Sequence, residues 1–215
     1  MNGFDIRTVD GEVLEARWDL PDVTRRAVVF CHPHPLHGGT MTAPLMVGVT
    51  RHLVDRDFAV LRFNFRGVGT STGTHGNGAA ELADVSAAVA TADAAYPEIP
   101  LSIAGWSFGA AVALTWAAEA GSRHAYAGIA PPVMSGLTPA LPPANSLTPA
   151  PRTFILGDRD QFVKVYELEA YAHSIGADLH VVPASDHFFS FREERVAGVV
   201  AKALSAPEIE DAPAG

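Results

Sequence analysis

The chain has 215 residues, 48% of them hydrophobic and 18% charged, with a formal net charge of −9. That length and apolar content suit one α/β domain with a sizeable core and exclude a disordered chain. There is no apolar run of about 18 residues to span a membrane, and the negative charge disfavours nucleic acid and anionic membrane, since both demand clustered Lys and Arg.

Residues 1–7 carry neither a basic nor an apolar leader pattern, so a cytoplasmic location is expected. The segments 4–9 and 12–19 flank Asp10-Gly11, a two-residue hairpin signal, and predict an antiparallel pair at one edge of a sheet. From there the pattern changes. Short, nearly continuous apolar runs at 27–31, 59–63, 101–104, 126–130, 153–156 and 179–182 read as strands covered on both faces. Between them lie helix-length stretches at 41–55, 79–95, 108–120, 163–175 and 191–204. Such alternation predicts a mostly parallel, doubly wound sheet with helices on both faces. Residues 131–151 are rich in Pro and small residues and sustain no helical period. The domain is expected to occupy 1–205, with 206–215 as a flexible acidic tail.

Gly105-Trp106-Ser107-Phe108-Gly109 closes one predicted strand and opens the next helix. A serine hydroxyl is a useful nucleophile when a sharp strand-to-helix turn holds it clear of the backbone, and glycines two residues to either side avoid collisions there. The pentapeptide alone also arises by chance, so its context must carry the reading. A nucleophilic serine needs a base and a carboxylate to orient that base, both from loops after later strands. Asp158 and Asp160 follow the run at 153–156, and His187 follows the run at 179–182. The order serine, acid, histidine is the one this architecture requires.

Taken with His32-Pro33-His34-Pro35-Leu36-His37-Gly38-Gly39, the stretch 63–73, the stretch 157–163 and Asp186-His187-Phe188, the chain resembles the α/β-hydrolases. It is most similar to small, nearly lidless bacterial members such as dienelactone hydrolase and short-chain carboxylesterases. The resemblance runs through nearly the whole chain. It implies an α/β-hydrolase fold and a Ser107, Asp160, His187 triad. Asp160 is taken over Asp158 because the family's G-x-x-D-x-x-V pattern falls on Gly157, Asp160 and Val163. Asp158 is then a loop residue capping local amides.

A tetrahedral intermediate needs two backbone N–H groups aimed at its oxyanion. Phe108, next to the nucleophile at a helix N-terminus, is one expected donor. The second comes from the loop after 27–31, where Pro33 and Pro35 have no N–H and His34 is the donor between them, with Leu36 as the fallback. No cofactor is required. His32, His34 and His37 invite a metal reading, but alternating prolines send successive side chains apart, so no metal is expected. Cys31, the single cysteine, is expected to be a buried inert thiol and excludes an internal disulfide. Gly67-Val68-Gly69 lacks the spacing of a nucleotide loop and reads as a tight turn, with Asn64 and Arg66 bracing nearby loops. Glu81 and Asp84 open a helix and are expected to be structural.

With no helical lid over the site, small carboxylic esters with short acyl groups are the expected substrates. Trp106, Phe108, His34, Leu36 and Phe188 are the expected walls. Thioester, amide or peptide hydrolysis and acyl transfer use the same triad, and a non-catalytic binding protein could keep the fold. The oligomeric state is left open between monomer and homodimer.

Overall fold

The computed structural model describes residues 3–133 and 135–206. Of the tail expected at 206–215, everything from Pro207 onward lies outside the described residues.

Eight strands form one sheet in the order β1-β2-β4-β3-β5-β6-β7-β8. β1 (Gly3–Arg7) and β2 (Val13–Asp19) pair antiparallel, and β2 pairs antiparallel with β4 (Phe58–Phe63). The remaining strands, β3 (Arg26–Cys31), β5 (Leu101–Trp106), β6 (Ala125–Ile129), β7 (Arg152–Gly157) and β8 (Asp178–Val182), run parallel with β4. β3, β4 and β5 supply Val28, Val29, Phe30, Val60, Leu61 and Ile103, which are essentially inaccessible, as the continuous apolar runs require. β8 differs: at the sheet's far edge its burial alternates, and only Val182 is fully covered.

α1 (Pro44–Val54) packs on α5 (Glu193–Leu204), and α2 (Glu81–Ala95) packs on α3 (Phe108–Glu119). α4 (Val165–Ser174) covers β7 and β8. α1 starts three residues later than the sequence suggests because Pro44, which lacks an N–H, sits in its first turn. α5 likewise begins at Glu193 rather than at residue 191, where Phe191 takes a φ of 62°. No described helix is long and apolar enough to cross a membrane.

The hairpin turn is longer than Asp10-Gly11 implies. Arg7 pairs with Val13, so residues 8–12 form the loop, closed by Thr8 N donating to Glu12 O at 2.9 Å. The aspartate is occupied elsewhere: its carboxylate accepts from Arg66 Nη1 at 2.8 Å and from Thr8 Oγ1 at 2.5 Å. These bonds, the Arg66 bond foremost, hold its pKa down at about 2.

Between β6 and β7, residues 130–151 contain one short 3₁₀ turn, Ala144–Ser146, and no α-helix among those described. The expectation of a lidless architecture therefore holds.

Candidate active site

β3, β5, β7 and β8 are parallel, so the loops after them all emerge at one edge of the sheet. Register sets the distances: Cys31 pairs with Gly105, and Gly157 with Val182. The loop after β3 thus begins beside the elbow, and the loops after β7 and β8 begin beside each other.

Ser107 takes φ 53° and ψ −117°, a strained conformation for a residue with a side chain. Its N–H donates to Ile129 O at 2.7 Å, and its carbonyl accepts from Ala110 N and Ala111 N at 3.0 and 3.1 Å. The glycines are forced by contact. A Cβ at Gly105 would lie 2.5 Å from Ala110 N, and one at Gly109 2.5 Å from Cys31 O. Gly157 has the same role one layer on, since its Cβ would sit 2.8 Å from Asp186 O. Its absence lets the acid loop and the histidine loop lie together.

Asp160 and His187 converge on the serine. His187 Nε2 is 3.0 Å from Ser107 Oγ, and Nδ1 is 2.8 Å from Asp160 Oδ2. With the carboxylate on Nδ1, the neutral ring donates there and accepts the serine O–H at Nε2. The other carboxylate oxygen accepts from Phe162 N and Val163 N at 2.8 and 2.9 Å, which fixes its rotamer. All three side chains are largely buried. Asp158 is exposed and accepts from Ser185 N at 3.3 Å, so it caps a loop amide. Asp186 turns away from the ring to accept from Phe188 N and Phe189 N, each at 3.0 Å.

Neither Phe108 N nor His34 N has a hydrogen-bond partner among the described residues. The fallback donor, Leu36 N, is occupied by His34 Nδ1 at 3.2 Å. His34 is braced from the far side by its Nε2, 3.0 Å from Leu137 O. Burial, then the neighbouring charge of His37, lowers its pKa. His32 is fully buried, with Nδ1 donating to Pro33 O at 2.6 Å and Nε2 accepting from Phe65 N at 2.9 Å. Burial pushes its pKa down to about 4. Asn64 completes the brace by accepting from Met41 N at 2.9 Å and donating to Glu15 at 2.7 Å.

Residues 24–147 match the family model described as serine aminopeptidase, S33. The chain belongs to this family of α/β-hydrolases. An uncharacterized protein of Rickettsia prowazekii is 32% identical, with 76% of this chain and 71% of that protein covered. Among solved structures, an α/β serine hydrolase homologue from Coxiella burnetii superposes with a TM-score of 0.83 at 28% identity, covering 95% of this chain and 97% of that one. An α/β serine hydrolase without lid from Xanthomonas campestris gives 0.81 at 28% identity, with 96% of each chain covered.

The walls of the hydrolase differ in part from the sequence expectation. Phe108 is fully buried: its ring lies against the loop after β3, centroids 4.9 Å from His34 and 5.5 Å from Phe65, so the ring offers no open wall. The His34 ring is buried in the same stack. Trp106 is 5% exposed and donates through Nε1 to His187 O at 3.2 Å, holding the histidine loop rather than offering a broad wall. Leu36 and Phe188 are exposed. Sequence reasoning missed Phe162, an exposed ring whose centroid is 5.0 Å from that of His187. Its one available signal was an aromatic two residues after the acid.

The three histidines of the β3 loop do not converge. His32 points to Phe65, His34 to Leu137, and exposed His37 stacks on His34 at 4.5 Å. Cys31 is buried, and burial raises its thiol pKa. Arg66 is bound by Asp84 at 2.7 Å and Asp10 at 2.8 Å, and Glu81 accepts from Gly76 N and Gly78 N, each at 2.8 Å. These acids secure the turn after β4 and the start of α2.

Proposed function

We propose that this serine hydrolase cleaves small carboxylic esters through an acyl-enzyme on Ser107. The observation that carries the reading is the hydrogen-bonded line from Ser107 Oγ through His187 to Asp160, next to two N–H groups with no partner among the described residues. Ser107 attacks the carbonyl carbon while His187 Nε2 takes its proton. Asp160 holds the ring tautomer and stabilises the imidazolium. The Phe108 and His34 amides receive the oxyanion, and His187 then activates water to release the acid.

Short acyl groups are favoured because the described residues of 130–151 form no α-helix that could build a lid. The test is kcat/KM across p-nitrophenyl esters from acetate to decanoate. A maximum at acetate to butyrate is expected, and activity that keeps rising to decanoate contradicts the short-acyl reading. The family description favours a second reading, cleavage of aminoacyl amides. Side-by-side turnover of an ethyl ester, a thioester and an aminoacyl anilide separates them, with the ester expected to be fastest.

A further inference from the structure

If esters are cleaved as proposed, the acylation step fixes where the departing alcohol lies. As Ser107 Oγ bonds to the acyl carbon, its proton passes to His187 Nε2, 3.0 Å away. Collapse of the intermediate breaks the bond between acyl carbon and alcohol oxygen and returns that proton to the alcohol. The alcohol oxygen is therefore within hydrogen-bond reach of Nε2, and the rest of the alcohol extends along the imidazole side of the carbonyl, not the amide side.

Two rings border the His187 imidazole itself. The centroids of Phe162 and Phe188 are 5.0 and 5.7 Å from that of His187, their planes at 83° and 88° to it. They meet each other at 6.4 Å and 85°, making a corner of two aromatic walls. Phe162 is 63% exposed and Phe188 50%, whereas Trp106 behind them is 5% exposed. The backbone at each ring is hydrogen-bonded to a neighbouring carboxylate. Phe162 N is pinned to Asp160 Oδ1 at 2.8 Å, and Phe188 N to Asp186 Oδ1 at 3.0 Å. Apolar rings kept wet on a fixed backbone are stabilised when a flat apolar group covers them, at little ordering cost.

We infer that Phe162 and Phe188 form a leaving-group subsite that selects esters of arylmethyl alcohols over esters of short alkyl alcohols. Neither ring belongs to the buried core.

The experiment compares kcat/KM for benzyl acetate and ethyl acetate, whose alcohols leave with similar intrinsic ease, in the wild-type chain, F162A and F188A. The benzyl-to-ethyl ratio is expected to fall about tenfold in each variant, from lost aromatic contact. The ethyl butyrate to ethyl acetate ratio is expected to stay constant. Equal losses on both acetates, or a change in the acyl ratio alone, overturn the subsite. A second readout needs no turnover: benzyl alcohol is expected to shift the His187 ring resonances in the wild-type chain and not in the double variant F162A/F188A. Ester turnover without that shift defeats the subsite. The shift without ester turnover defeats only the esterase reading, and absence of both defeats both.

Discussion

The two sides of Ser107 are built on opposite principles. On the amide side, His32, His34, Phe65 and Phe108 are buried, and each polar atom of the two imidazoles is bonded within the loop cluster. On the imidazole side, Ser107, Asp160 and His187 are buried but their neighbours Phe162 and Phe188 stand in water. Under the proposed mechanism, a side packed like a core would hold the oxyanion donors still. Under the inferred subsite, the open side would leave surface for a variable alcohol group.

The largest effect expected from breaking this arrangement is on Asp160. D160N leaves the shape in place but lets the ring adopt the wrong tautomer, and kcat is expected to fall about 10⁴-fold in steady-state ester hydrolysis. Next comes the amide side. His34 has φ −54°, within the range a proline requires, so H34P removes the N–H at a compatible φ. H34A removes the ring and keeps the N–H. H34P is expected to be about 10²–10³-fold slower in kcat than H34A, the usual effect of one lost donor. Equal activities would take the oxyanion role from His34.

The packed side also predicts a pH dependence. His32 is held at about 4 in the fold against an ordinary 6.5, so the unfolded chain binds the proton first as the pH drops. Its contribution is complete above pH 6.5 and is lost as the pH falls towards 4, amounting to about 3 kcal/mol. Urea unfolding of the wild-type chain across that range is expected to show the loss, and H32Q a flatter profile. The smallest effect lies on the open side. F162A is expected to change unfolding free energy by less than about 0.5 kcal/mol, because a ring 63% exposed contributes little burial. A larger loss would make Phe162 part of the core.

What could be read from the sequence was local. Gly105, Gly109 and Gly157 stand where backbones touch, and the order of Ser107, Asp160 and His187 follows from which strands carry loops to one edge. What could not be read depends on partners far along the chain. The carboxylate in the Asp10 turn accepts from Arg66, 56 residues on. His34 is tied to Leu137 across 103 residues. Phe108 and Phe162 are the same residue type beside the same site, yet α3 turns one inward under the β3 loop while the acid loop leaves the other in solvent. Only packing separates them.

The direct test of the central claim is reaction with a small fluorophosphonate, followed by intact-mass measurement and peptide mapping. One adduct per chain is expected, located on Ser107 and absent from S107A, with circular dichroism unchanged in the variant. An adduct on another residue, or labelling of S107A equal to the wild-type chain, would contradict it.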